Sequence, residues 1–340
     1  MKAVTMERGQ LAAVDLPDPI PGEGEVLVRT LACGICGSDL HAARHTEDFV
    51  TTSREAGGAF KLTTYNPVVL GHEFCAEILE YGPRTEASVA TGSMVCSVPV
   101  LLRTPPEPIG YSEHIPGGFA EMMLLSEALI APVPNGIKAE LAALTEPMAV
   151  GYHAVNKANL SGNEATLVIG CGPVGLAVII ALKQRGITPI AAADYSVTRR
   201  ELALAVGADV VFDPADSSAY DYEPLRKPRD VVYFECVGVP GMLDEIFLAA
   251  PRNARIVVVG VCLQTDHSRP LIAINKELNI QYVLGYSVEE FVQSLQHIGS
   301  GEFNVEPLVT SSVGLEAVAD AFNTLANPDQ EGKILVNPSL

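Results

Sequence analysis

The chain has 340 residues, more than a single hydrophobic core usually organises, so two domains are expected. Apolar residues make up 48% and charged residues 19%, which excludes a disordered chain and allows each domain a sizeable core. With 22 basic against 41 acidic residues the formal net charge is −19, a surface that repels phosphate backbones and argues against nucleic-acid binding.

The densest basic cluster, Arg226, Lys227 and Arg229, is short and interrupted by Pro228. No apolar run approaches the roughly 20 residues of a membrane span, and MKAVTMERGQ lacks the apolar core of a signal peptide. A cytoplasmic protein without membrane attachment is the expectation. Seven cysteines, an odd count in a long chain without an export signal, argue against a disulfide framework; most read as buried apolar thiols, with Cys36 set apart.

Residues 1 to about 130 carry Gly/Pro turn signals (Pro19–Gly24, Gly117–Gly118) between the strand-like runs EVLVRTLA, AEILEY, SMVCSVPV and AEMMLL. That pattern predicts a β-rich unit without long helices. Three stretches in this unit and at its end hold ligand-type residues. GICGSDLH places Cys36 with Ser38, Asp39 and His41; LGHEF places His72 beside Glu73; LTEPMAV places Glu146 just before the next unit. Zinc accepts thiolate, imidazole and carboxylate, and a catalytic site keeps one position open for water or substrate. One cysteine, one histidine and one carboxylate satisfy that requirement. Taken singly, Cys36 also fits a core thiol, His72 a hydrogen-bonded core histidine and Glu146 a helix-start carboxylate. Their occurrence together with the nucleotide motif that follows favours the metal.

The middle of the chain alternates strand and helix. ATLVIG (165–170) is a short apolar strand followed by a helix from Pro173 to about Arg185, then PIAAAD (189–194) and a helix through RRELALAVG, ending at Gly207. DVVF (209–212), DVVYFE (230–235), ARIVVVG (254–260) and NIQYVLGY (279–286) complete six runs. Short, valine-rich and nearly all apolar, they predict a parallel sheet covered on both faces, hence an α/β doubly wound fold. Gly170, Gly172 and Gly175, with Pro173 and Val174 between the last two, form G-x-G-x-x-G directly after the first strand. The first glycine permits the turn, the second lets a pyrophosphate approach the backbone, and the third lets helix and strand pack closely. The helix N-terminus supplies N–H donors to the phosphates. Asp194 ends the second strand, where a carboxylate accepts the ribose hydroxyls and repels the 2′-phosphate of NADP. NAD is therefore expected, with Arg199 or Arg200 as the route to a minor NADP activity. After about residue 286 a helix (288–298), VEPLVT, a second helix (314–326) and KILVNP are predicted to return to the N-terminal unit, so that the sheet domain is inserted.

GICGSDLH, GHEF, GGFAE (117–121), EPMAVGYHAV (146–155) and GCGPVG, in this order, resemble the zinc-containing medium-chain dehydrogenase/reductase (alcohol dehydrogenase) family. Glu146 and CGSDLH are similar to the butanediol, sorbitol and threonine dehydrogenase branch. The resemblance spans essentially the whole chain. It implies a GroES-like catalytic domain of residues 1–147 and 287–340, a Rossmann NAD-binding domain of residues 148–286, and one catalytic zinc in the cleft between them. By the same resemblance Cys36 and His72 are zinc ligands, and Glu73 and Glu146 are carboxylates that exchange with water at the metal. Ser38 would hydrogen-bond the reacting hydroxyl, Asp39 would orient a ligand imidazole, and His41 would pass the proton to solvent. One departure is clear. Relatives commonly carry a second, structural zinc on four cysteines, but here the region reads VPVLLRTPPEPIGYSEHIPGG, with no cysteine between Cys96 and Cys171. A single zinc is expected.

The implied reaction interconverts a secondary alcohol and its ketone, with polyol or vicinal-diol oxidation as the main alternative. Phe49, Phe60 and Tyr65 are candidate pocket walls. A zinc-free quinone or enone reductase, or a dinucleotide-binding protein without activity, would not be expected to retain Cys36, His72, Ser38 and His41. The end of the sheet at 279–286 is apolar, so a homodimer or homotetramer is expected.

Overall fold

Six parallel strands form the central sheet, ordered in space Val210–Phe212, Ile190–Ala193, Ala165–Ile169, Val231–Glu235, Arg255–Val258 and Asn279–Tyr282. The computed structural model describes residues 1–58, 60–227, 230–327, 329 and 331–340, so Pro228 and Arg229 lie outside the described residues. Ala165–Ile169 and Val231–Glu235 are buried at every position, as their apolar sequences demand when helices cover both faces. The strand order reverses direction between these two neighbours, and the crevice at their carboxyl ends is where such sheets take ligands. The helix Pro173–Gln184 follows the first strand and is buried without a break from Gly175 to Leu182. The last run differs from expectation. It is strand only over Asn279–Tyr282, and Asn279, Gln281 and Tyr282 are exposed. An edge strand has a partner on one side only, so two-sided burial is not imposed on it.

The other unit is built largely on antiparallel strands. Glu25–Gly34 pairs with Glu73–Tyr81, with Met122–Ser126 and, at its far end, with Lys333–Val336. Val309–Val313 adds in parallel to Lys333–Val336. The end of the chain is thereby stitched to its beginning. The helix Val288–Ser300 opens with a capping box of Ser287 and Glu290. The Glu290 carboxylate also lies 2.7 Å from His153 Nδ1 and accepts from Asn156 Nδ2 at 2.6 Å, so the same residue pins this helix to the helix Thr145–Lys157.

Two short helices, Gly37–Arg44 and Thr46–Glu55, occupy the segment after Gly34, a segment to which the sequence assigned no element in a unit expected to lack long helices. Thr46–Glu55 buries Phe49 and Val50, and two apolar positions are too few to declare a helical period. The predicted helix 314–326 is a 3-10 turn, Leu315–Ala317, running into the helix Val318–Thr324. Among the described residues no helix is long and apolar enough to cross a membrane.

Candidate metal and dinucleotide site

Cys36 is the N-cap of the helix Gly37–Arg44, and Glu73 begins the strand Glu73–Tyr81. Gly34 stands opposite Glu73 in the sheet, which brings the Cys36 turn and the His72–Glu73 turn together. The ligand atoms of Cys36, His72 and Glu73 all lie within 4.8 Å of one another. A Cβ at position 34 would come within 2.0 Å of Glu73 Oε2, so the glycine leaves the space that the carboxylate occupies.

Asp39 organises this group from behind. Fully buried, it accepts a hydrogen bond from the Cys36 backbone N–H at 2.9 Å through Oδ2, closing a capping box that fixes the turn carrying the thiol. Its Oδ1 stands 3.3 Å from His72 Nδ1, within ion-pair reach although off the line of a well-formed hydrogen bond. With Nδ1 facing a carboxylate, Nε2 is the nitrogen left for a ligand role. Burial opposes protonation of His72, but Asp39 and Cys36 outweigh it and hold the pKa well above the usual histidine value. Burial and the Glu73 carboxylate push the Cys36 thiol up, partly offset by His72 and Lys333. Thiol, imidazole and carboxylate, closely grouped and short of a fourth protein ligand, fit a catalytic zinc ion.

Lys333, buried in the last strand, donates to Glu73 Oε2 at 2.6 Å, to Oε1 at 2.8 Å and to the Ile35 carbonyl at 3.1 Å. Burial works to lower its pKa, yet the charges of Glu73 and Cys36 raise it overall. Sequence reasoning missed this residue. The available signal was a lone lysine opening the apolar strand KILV. Glu146 lies outside the compact group of three. Its Oε1 accepts from Tyr286 Oη at 2.9 Å, a second partner that the sequence did not suggest. Burial raises its pKa, His72 opposes the rise and Glu73 adds to it, leaving the carboxyl pushed up to about 7.

Ser38 and His41 lie one turn apart on the helix Gly37–Arg44, both half-buried. Ser38 Oγ accepts from Tyr111 Oη at 2.7 Å. Tyr111 in turn packs with Phe60 at 4.7 Å and Phe49 at 5.6 Å between ring centroids, and Phe49 stacks on Phe60 at 4.9 Å. Phe49 and Phe60 thus join a buried aromatic group next to His72, whereas Tyr65 is 67% exposed and has no place in it.

At the dinucleotide turn, Gly170 has φ +90°, and a Cβ on Gly175 would come within 1.9 Å of the Gly170 carbonyl oxygen, so both positions require glycine. Gly172 caps the helix Pro173–Gln184, with Pro173 and Val174 at its start. Asp194 accepts from the Cys171 N–H through Oδ2 and from the Ser196 N–H through Oδ1, each at 2.8 Å. Arg199 Nη1 lies 3.9 Å from the same carboxylate, while Arg200 is engaged by Asp213 at 2.8 Å. Helix N-terminus, close-approach glycines and a strand-end carboxylate fit a bound dinucleotide. A small cavity lined by Leu144, Pro147, Met148, Pro173, Leu176 and Lys333 joins the start of this helix to the lysine that holds Glu73.

In the segment without cysteines, Val100–Leu101 pairs with Glu107–Pro108 in a small hairpin. Arg103 forks onto Glu25 at 2.6 and 3.1 Å and reaches Glu107 at 3.1 Å, which also faces Lys61 at 3.3 Å. Among the described residues, Cys36, His72 and Glu73 are the one group of three metal-ligating side chains within mutual reach.

A doubly wound dinucleotide sheet and a thiol–imidazole–carboxylate group define a metal-dependent, dinucleotide-linked oxidoreductase. Comparison with known proteins agrees. Residues 22–135 match the alcohol dehydrogenase GroES-like domain and residues 173–300 match the zinc-binding dehydrogenase domain. The chain is 30% identical to (R,R)-butanediol dehydrogenase of Bacillus subtilis (strain 168) over 337 residues, 95% of each protein. It is 28% identical to sorbitol dehydrogenase of Bos taurus over 343 residues, covering 93% of this chain and 90% of that one. The crystal structure of 2R,3R-butanediol dehydrogenase from Bacillus subtilis superposes with a TM-score of 0.85 over 99% of both chains, at 28% identity. The chain belongs to the zinc-containing medium-chain alcohol dehydrogenase family. It is a zinc-dependent alcohol or polyol dehydrogenase that works with a nicotinamide dinucleotide.

Proposed function

We propose that Cys36, His72 and a carboxylate from Glu73 or Glu146 hold the catalytic zinc, and that the enzyme interconverts a secondary alcohol and its ketone with NAD. The observation that carries this reading is the approach of the Cys36, His72 and Glu73 ligand atoms to within 4.8 Å of one another. When bound, zinc supplies a Lewis acid that lowers the pKa of an alcohol hydroxyl, and the nicotinamide supplies the hydride acceptor. Ser38 takes the hydroxyl proton and hands it toward His41, which passes it to solvent. Burial, with His45 and Arg44 nearby, keeps the His41 pKa below the usual value, so the imidazole is neutral and able to accept. Asp39 holds the His72 ring, and Lys333 holds the Glu73 carboxylate.

Asp194 selects NAD by accepting the ribose hydroxyls, and Arg199 is the route by which NADP would bind. The pairing of Lys333–Val336 with Glu25–Gly34 supports a catalytic domain of residues 1–147 and 287–340 around an inserted dinucleotide domain of residues 148–286. A homodimer or homotetramer is favoured by the exposed edge strand and its apolar neighbours, Leu284 at 89% and Ile274 at 68% exposure. The compartment is the cytoplasm, with neither membrane nor nucleic acid as a partner. A vicinal diol or polyol substrate is the second reading, favoured by the names of the butanediol and sorbitol dehydrogenases that the chain resembles.

Cys36→Ser tests the metal and a substrate panel tests the class. Loss of turnover and of bound zinc with retained NAD binding is the expected result. Full activity in demonstrably metal-free protein would overturn the reading. Simple secondary alcohols, vicinal diols and polyols, compared by NADH absorbance, separate the two substrate classes.

A further inference from the structure

The hydroxyl of Ser38 is not free to turn. Tyr111 Oη donates to Ser38 Oγ at 2.7 Å, and the same phenol oxygen lies 3.5 Å from Asp39 Oδ1. Asp39 already accepts from the Cys36 N–H at 2.9 Å and faces His72 at 3.3 Å. The longer contact is therefore the weaker arm, and the phenol hydrogen goes to serine.

The phenol itself is held firmly. Its ring is buried between Phe60 at 4.7 Å, His72 at 5.0 Å and Phe49 at 5.6 Å. The backbone is tied on both sides of that ring: Tyr111 N–H donates to the Pro108 carbonyl at 3.2 Å, and Lys61 N–H donates to the Tyr111 carbonyl at 2.9 Å. Packing alone would be served equally by phenylalanine, since all three ring contacts use the face and edge of the aromatic system. The hydroxyl has one strong partner, and that partner is Ser38.

We propose that Tyr111 is a positioning residue for proton transfer, its hydroxyl fixing the rotamer and the hydrogen-bond direction of Ser38. A serine hydroxyl offers one hydrogen and two lone pairs. With Tyr111 donating to one lone pair, the second lone pair faces the substrate hydroxyl and the serine hydrogen is the one passed toward His41. Both directions of the relay are then set before substrate arrives. Without the phenol, Ser38 samples its three staggered χ1 wells, and only part of the population presents a lone pair to the incoming proton. Orientation lost in this way lowers the rate of the chemical step and leaves ground-state binding alone. This positioning role rests on Ser38 acting in the proton relay of the proposed function.

Tyr111→Phe keeps the ring and removes only the oxygen. In the zinc-loaded enzyme it is expected to lower kcat about tenfold, ~1.4 kcal/mol, with KM unchanged. Zinc content and melting temperature should match those of the wild-type protein, and the solvent deuterium isotope effect on kcat should rise as proton transfer becomes slower. Ser38→Ala should be impaired at least as much, and adding Tyr111→Phe to it should cost nothing further. The proposal is overturned if Tyr111→Phe keeps kcat within twofold while Ser38→Ala is impaired, or if the two losses add. A fall in zinc content or melting temperature that accounts for the lost activity also overturns it, by assigning Tyr111 to packing. If Ser38→Ala retains full kcat, the relay role of Ser38 fails and the proposal fails with it, a result distinct from the others.

Discussion

Lys333 Nζ donates to both carboxylate oxygens of Glu73, at 2.6 and 2.8 Å, and both side chains are buried. Such a pair adds little stability by itself, because desolvation offsets the attraction, but removing one partner strands the other charge. Lys333→Met is therefore expected to lower the stability of metal-free protein by about 3–5 kcal/mol in urea denaturation. With zinc bound the loss should be smaller, since a cation beside Glu73 replaces the missing one. Equal losses with and without chelator would show that the metal does not reach Glu73.

Zinc uptake should release protons. Asp39 and Cys36 outweigh burial and hold the His72 pKa above its usual value, and burial with Glu73 raises that of the Cys36 thiol. In the metal-free site both shifts favour the protonated forms, whereas a metal requires thiolate and neutral imidazole. Protons therefore leave as the ion binds, and the apparent affinity rises with pH. Calorimetric titration in buffers of different ionisation enthalpy measures the count, and a count of zero would show that zinc binds elsewhere.

The parallel sheet was legible because burial on both faces leaves a mark in every residue of Ala165–Ile169 and Val231–Glu235. The edge strand Asn279–Tyr282 was over-read for the converse reason: with one neighbour it has no such mark to leave. The ligand-type residues Cys36, His72 and Glu73 stood in short local motifs, and their meeting needed only the register of Gly34 against Glu73. Lys333 and Tyr111 were not legible. Each lies far along the chain from the residue it serves, Glu73 and Ser38 respectively; a lone lysine opening KILV marks Lys333 as unusual without naming its partner, and nothing local names the partner of Tyr111. Glu146 was legible as a carboxylate, but its hydrogen bond to Tyr286 depends on how the segment after the last strand of the parallel sheet meets the helix Thr145–Lys157.

Asp194 should govern the choice of cofactor. Its two oxygens accept from the Cys171 and Ser196 N–H groups, which holds the carboxylate at the strand end beside the glycine turn. Asp194→Ser removes the repulsion of a 2′-phosphate and frees Arg199, 3.9 Å away, to meet it. The expected change is a rise of about tenfold in KM for NAD, ~1.4 kcal/mol of lost binding, together with a gain in kcat/KM for NADP. The kcat/KM ratio of the two cofactors measures it. An unchanged ratio would remove Asp194 from the selection.

The hairpin Val100–Leu101/Glu107–Pro108 depends on charge rather than on thiolates. Glu25 is buried, and Arg103 covers it with two hydrogen bonds at 2.6 and 3.1 Å while reaching Glu107 at 3.1 Å. Burial alone would raise the pKa of Glu25, but Arg103 and the Gly22 N–H outweigh it and hold the value below the usual range. A carboxylate depressed in the folded state contributes stability above its unfolded pKa, about 4.3, and that contribution fades as pH falls through the folded value. Arg103→Met should therefore cost about 2–3 kcal/mol at neutral pH, where Glu25 is left charged and uncovered. The cost should shrink on acidification as Glu25 takes up a proton. Pairing the substitution with Glu25→Gln should recover part of the loss at neutral pH, because no stranded charge remains. Urea melts at neutral and acidic pH resolve these differences, and a cost that does not change with pH would mean that Arg103 acts through its stem packing instead of through Glu25.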